Sequence, residues 1–222
     1  MKQYRIGILR VWTTDDKKAL AAHQDLMIPH FPEFTFETRC IPNQYKGLYN
    51  QQAHEEALPV IVQMATEWEP EIDGLIVSCV DDPGVEILKT KLKIPVVGAG
   101  TAVACLGLMT GLKLGVMGIT QKPTVPVTNL LKEKMLGYVV PEGVESTVDL
   151  QGEEAKKSII RAASKLKALG AEAIILSCTG LSTVGAASFL NDAGYTAIDG
   201  VIASGIAMRN MLLLQHFNSR NG

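Results

Sequence analysis

Apolar and polar positions alternate along this chain in two rhythms. Short runs rich in Ile, Val and Leu give way to longer stretches in which apolar residues recur every third or fourth position. The runs predict strands at Tyr4 to Leu9, Phe34 to Cys40, Gly74 to Cys79 and Ile94 to Gly98, then at Lys113 to Ile119, within Tyr138 to Val148, at Ala173 to Cys178 and at Tyr195 to Ile198. The longer rhythm predicts helices at Asp15 to Ile28, Gln51 to Trp68, directly after Pro83, Thr101 to Leu112, Pro123 to Met135, Gly152 to Leu169, around Ser182 to Ala193, and Ile202 to Phe217. Thr13, Thr14 or Asp15 would cap the first helix, Pro83 would open the third, and Gly170 would close the sixth.

Strand alternating with helix implies parallel sheets covered on both faces. In such sheets ligands bind beyond the carboxyl ends of the strands. The pattern also repeats. Ile6-Gly7-Ile8-Leu9 is echoed by Leu114-Gly115-Val116-Met117, and Gly74-Leu75-Ile76-Val77-Ser78-Cys79 by Ala173-Ile174-Ile175-Leu176-Ser177-Cys178. Ile94-Pro95-Val96-Val97-Gly98 has a looser echo in Tyr195-Thr196-Ala197-Ile198-Asp199-Gly200. If the two halves pack about a pseudo-twofold axis, Cys79 and Cys178 point into one cleft from opposite sides.

The composition narrows the function classes. The chain has 222 residues, 47% of them hydrophobic, and a formal net charge of −2 with both signs interspersed. It carries no basic stripe and no block of like charge, so neither nucleic acid nor an anionic membrane is an expected partner. No apolar stretch approaches the roughly 20 residues of a membrane span. Met1 and Lys2 lead straight toward the first strand without a signal-peptide pattern, and the expected location is cytoplasmic. The four cysteines, Cys40, Cys79, Cys105 and Cys178, are widely spaced with no Cys-x-x-Cys pair. That spacing argues against a disulfide framework and gives no support to a zinc site.

Cysteine is commonly a small buried hydrophobe, and for Cys40 and Cys105 we adopt that packing role. Cys40 ends a strand before Ile41-Pro42 and has no echo, and Cys105 lies inside an apolar helix. The repeated Ser-Cys at two strand ends is different. Two thiols facing one carbon from opposite sides can remove a proton on one face and return one on the other. A thiol near pKa 8.5 does either once its surroundings shift it toward neutrality, and a helix N-terminus supplies such a shift. Val80-Asp81-Asp82-Pro83-Gly84 and Thr179-Gly180-Leu181-Ser182-Thr183 both read as helix starts, so Asp81, Asp82 and Thr179 serve as caps or as part of the site. Their N–H groups suit a carboxylate or imide oxygen. Gly98-Ala99-Gly100-Thr101 lacks the third glycine of a dinucleotide loop, no phosphate loop occurs, and no lysine stands out as a pyridoxal anchor, so no cofactor is expected.

On these motifs, chiefly Ser78-Cys79-Val80-Asp81-Asp82-Pro83-Gly84, Ile94-Pro95-Val96-Val97-Gly98 and Leu176-Ser177-Cys178-Thr179-Gly180, the chain resembles the aspartate/glutamate/hydantoin racemase superfamily, its hydantoin racemase branch most closely. The resemblance spans nearly the whole chain. It implies an α/β fold of two similar domains with parallel-sheet cores related by a pseudo-twofold axis, and an active site in the cleft between them. The domains would be residues 1–100 plus 201–222 and residues 101–200. It further implies a cofactor-independent, two-cysteine racemase or epimerase of an amino acid or derivative, with Cys79 and Cys178 as the motif cysteines and a homo-oligomeric assembly. The family's polar first loop is here Arg10-Val11-Trp12-Thr13-Thr14, so Arg10 and Thr13 become substrate-binding candidates. Arg10 is equally readable as a surface charge, and Trp12 as core. Thr101, Thr120, Thr179 and Gly180 match positions near the substrate, although each threonine could simply start a helix. Met208, Met211, Leu212, Leu213 and Leu214 would serve an interface or internal packing. A decarboxylase or cis-trans isomerase of a small carboxylic acid on the same fold, and a small-anion binding protein, are the alternatives.

Overall fold

The computed structural model describes residues 3–48 and 50–220, except for the side chains of 218–220. Met1 and Lys2, read as leading into the first strand, lie outside the described residues. Contacts divide the chain into two compact units, Met1–Ser78 with Asp82–Gly98 and Ser204–Gly222, and Cys79–Asp81 with Ala99–Ala203. The expected division ran at residues 100 and 200 and placed 79–81 in the first domain.

The first unit holds β1 (Tyr4–Arg10), α1 (Lys17–Met27), β2 (Phe34–Cys40), α2 (Gln51–Trp68), β3 (Gly74–Ser78), α3 (Val85–Lys91) and β4 (Val96–Gly98). Its strands pair in parallel in the order β2-β1-β3-β4. Every residue of β3 is buried, as a central strand covered on both faces requires, whereas β2 at the edge alternates. Gly7 in β1 lets Trp68 close down on the sheet, because a Cβ there would lie 3.1 Å from that ring and 2.9 Å from Ile72 Cδ1.

The second unit holds α4 (Ala99–Met109), β5 (Leu114–Met117), α5 (Val125–Leu131), β6 (Met135–Val139), α6 (Gly152–Ala168), β7 (Ala173–Leu176), α7 (Thr179–Thr183), α8 (Ala186–Asp192) and β8 (Ala197–Ile198). The order β6-β5-β7-β8, again parallel, repeats that of the first sheet. Its core joins Met117, Ile174 and Leu176 of the sheet to Ile159, Leu166, Leu181 and Leu190 of the helices. The last helix, α9 (Gly200–Arg220), starts in the second unit and runs into the first. There Met208 is fully buried over Gly74, and Arg209 donates to Glu33 and to the His30 carbonyl.

Several elements depart from the sequence expectation. The cap of α1 is Asp16, which accepts from Lys18 N at 2.8 Å, and Thr13 is a buried loop anchor instead. Pro83 does not open α3. The helix starts at Val85, after Asp82 and Gly84 both take positive φ. The strand sought within Tyr138 to Val148 lies earlier, at Met135–Val139, because Pro141 and Gly143 turn the chain beyond it. The helix expected around Ser182 to Ala193 is broken in two by Gly185 at φ 69°. Gly170 closes α6 at φ 92°, as its position required. Cys105 is a correction, for its side chain is exposed on α4 and not packed inside the protein. The α9 residues separate, with Met208 and Leu212 buried and Met211, Leu213 and Leu214 exposed. Among the described residues no helix is long and apolar enough to cross a membrane.

Candidate active site

Cys79 directly follows β3, and Cys178 stands two residues beyond β7. Each strand is third in the order of its sheet. A central parallel strand releases its chain at the carboxyl edge, so both cysteines sit where such sheets bind ligands. All four cysteines are free of disulfides, and Cys79 and Cys178 are both partly exposed.

The surroundings of Cys178 show why its neighbours are small. Cys178 is in extended conformation and caps α7, its Sγ accepting from the Gly180 N–H at 3.3 Å. A donor aimed at sulfur favours thiolate over thiol. The same bond occupies the Gly180 N–H, which the sequence had offered to a substrate oxygen. Gly180 also has no room for a side chain. A Cβ would lie 2.9 Å from Leu150 Cδ1, 3.0 Å from Thr147 Cγ2 and 3.3 Å from the Cys178 sulfur. Thr179, the first residue of α7, is partly buried beside it.

Asp199, unassigned in the sequence reading, joins α7 to the last helix. Its carboxylate caps α9, accepting from Val201 N at 2.8 Å and Ile202 N at 3.0 Å. Burial pushes this carboxyl above its ordinary range, against the N–H groups of Ile202 and Val201 and the nearby Ser182 hydroxyl. That hydroxyl lies outside strict hydrogen-bonding geometry, so Ser182 Oγ is buried without a formal partner, as is Ser177 Oγ. Gly200 comes next. A Cβ there would lie 3.6 Å from the Leu176 carbonyl oxygen and 3.6 Å from Val80 Cγ2. A side chain at this position would thus meet both the residue after Cys79 and the last residue of β7. Asp81, partly buried, groups with the second unit alongside Cys79 and Val80.

Tyr138 is a second residue the sequence did not single out. Its hydroxyl donates to the Thr120 carbonyl at 2.7 Å. Burial pushes its phenol up, the hydrogen bonds with Thr120 oppose this, and a negative charge on Cys178 adds to the rise. Thr120 is exposed, and its own hydroxyl donates to the Lys122 carbonyl at 2.7 Å.

In the first unit the β1–α1 loop is tightly tied. Arg10 is buried, donates to the Ala19 and Leu20 carbonyls of α1, and lies 5.3 Å over the Trp12 ring, so it is no surface charge. Trp12 is half-buried and donates to the Tyr45 carbonyl at 2.8 Å. The Thr13 hydroxyl donates to the Ile41 carbonyl and accepts from Gln44 N at 2.7 Å. Next to Cys79, Ser78 Oγ hydrogen-bonds His23 Nδ1 at 2.8 Å, both side chains being buried. The Asp82 carboxyl fills the space over Gly98, where a Cβ would meet it at 2.4 Å. Thr101, third residue of α4, is half-buried. An open recess of about 300 Å³ lined by Asn43, Gln44, Tyr45, Lys46 and Glu56 includes neither Cys79 nor Cys178. Among the described residues no three His, Cys, Asp or Glu side chains cluster as metal ligands.

The model of the Asp/Glu/Hydantoin racemase family matches residues 17–204, most of the chain and both Ser-Cys strand ends. The chain belongs to the Asp/Glu/hydantoin racemase family. It is accordingly an enzyme of the isomerase class. The fold agrees with that membership. An allantoin racemase from Pseudomonas fluorescens superposes with TM-score 0.81 at 19% identity, over 95% of this chain and 92% of that one. A glutamate racemase from Bacillus anthracis gives 0.65 at 17% identity, over 97% of this chain and 83% of that one. A double mutant of arylmalonate decarboxylase in its liganded form gives 0.67 at 13% identity, over 94% and 92%. At these identities the likeness is one of fold, two parallel α/β sheets with flanking helices. No curated protein matches the sequence significantly.

Proposed function

We propose that this family member is a cofactor-independent racemase or epimerase of an amino acid or its derivative, hydantoins and acidic amino acids being the substrate classes, with Cys79 and Cys178 as its two proton-transfer groups. The observation that carries the reading is their equivalent placement, each just beyond the third strand of an identically ordered sheet. The Gly180 N–H on the Cys178 sulfur supports it.

One cysteine, as thiolate, takes the proton from the α-carbon. The bonding pair moves into the adjacent carbonyl as an enolate. The other cysteine, as thiol, gives its proton to the opposite face, and the enolate collapses back to the carbonyl. The enzyme ends with thiol and thiolate exchanged, so the reverse reaction starts from the other side. No electrons are gained or lost.

The test is deuterium uptake at the substrate α-carbon in heavy water, across a panel of enantiopure hydantoins and free acidic amino acids. Uptake with inversion is expected for wild type. Cys79→Ser and Cys178→Ser should each lower racemisation by at least about a thousandfold. Loss with one variant alone would move the reading to a single-cysteine proton donor, as a decarboxylase of this fold would need. Absence of exchange across the panel would overturn it.

A further inference from the structure

Tyr138 stands on β6, an edge strand, yet its side chain crosses to the end of the neighbouring β5. Its hydroxyl donates to the Thr120 carbonyl at 2.7 Å and lies 3.4 Å from Thr120 Oγ1. The ring fits only because residue 118 has no side chain. A Cβ at Gly118 would lie 2.2 Å from the phenol oxygen and 2.8 Å from two ring carbons. The turn from Gly118 to Thr124 is fixed further by Gly118 N donating to the Val139 carbonyl at 3.1 Å, and by the Thr120 hydroxyl on Lys122. This turn leaves the carboxyl edge of β5, and β5 pairs with β7, whose chain continues to Cys178. Ser177 N donates to the Met117 carbonyl at 2.7 Å, which sets the level of Gly118 against that of the Ser177-Cys178 turn.

We infer that Tyr138 is a positioning residue for the reaction proposed above: its phenol, seated over Gly118 and bonded to the Thr120 carbonyl, holds the β5–α5 turn at a fixed place beside the Cys178 turn. The inference rests on the racemase reading and adds a determinant of substrate binding to it. Tyr138 acts through the turn and touches no reacting atom. A phenol does this where phenylalanine cannot, because only the O–H donates to the carbonyl. Burial helps, since a phenol kept protonated remains a donor throughout the neutral range.

The experiment is Tyr138→Phe in the full-length enzyme, with two readouts. In hydrogen–deuterium exchange the backbone of residues 119–124 should exchange on the order of tenfold faster, with the rest of the second unit unchanged. This readout requires no substrate, so it stands even if no racemisation substrate is found. With a substrate from the panel, KM should rise on the order of tenfold while kcat and its pH profile stay near wild type. Unchanged exchange at 119–124 would overturn the inference. So would unchanged KM, or a fall in kcat with a displaced pH profile, which would put the phenol on the reacting atoms.

Discussion

Gly180 shows how closely chemistry and packing are joined at a single residue. Its N–H faces the Cys178 sulfur, and its missing side chain admits Leu150 and Thr147. Gly180→Ala would force Leu150 Cδ1 or the sulfur aside by several tenths of an ångström, and on the reading proposed above a misplacement of that size at a proton-transfer group is costly. The expected outcome is a fall in kcat of about ten- to a hundredfold with the fold retained, checked by steady-state kinetics beside near-native circular dichroism. The places of Cys178, just beyond a strand end, and of Gly180, two residues on in a helix start, were legible in the Ser-Cys echo and the residues after it. Tyr138, His23 and Asp199 were not. Each acts on a residue far along the chain, Thr120, Ser78 and Ser182 respectively, and local pattern does not report such pairs. Arg10 and Thr13 were marked for a substrate, and the structure gives both side chains protein partners.

Among the elements, α9 shows what holds a helix that spans two units. In its first-unit portion Gly205 seats it against Phe31, where a Cβ would meet the ring at 2.4 Å, and Arg209 lies 4.8 Å over the same ring while donating to Glu33. Arg209→Ala should cost about 1–2 kcal/mol of stability, measured by denaturant unfolding at neutral pH. The Arg209 hydrogen bond holds the Glu33 carboxyl below its ordinary value of 4.5. Its contribution is therefore complete above that value and fades as pH falls through the folded-state pKa. The gap between wild type and variant should narrow below about pH 4.5, and a gap constant with pH would show that packing alone accounts for it. Among the longer elements α2 and β2 were read from the sequence at their true bounds, whereas α9, the longest, starts two residues earlier and runs three residues further than read. Two elements were misread for a local reason. In β6 a register shift opposite Leu114 and Gly115 breaks the alternation, and a left-handed Gly185 splits a helix whose apolar pattern runs on unbroken.

At the scale of the whole molecule, two sheets with the same strand order follow one another along the chain, and the repeat visible in the sequence is a repeat of topology. The chain passes between units more often than a simple two-domain reading allows. Residues 79–81 leave the first unit and group with the second, and α9 changes unit at Ser204. Sequence periodicity could not reveal that excursion, since three residues between a strand and a helix carry no period. The outward face of α4 has a consequence for handling. Cys105 presents its thiol to solvent, so in aerated buffer two molecules can couple through it by oxidation. Such a covalent pair would mimic native assembly on a sizing column. A doubled band on a non-reducing gel should vanish with reductant and be missing from Cys105→Ser, and a band that survives in that variant would place the link elsewhere.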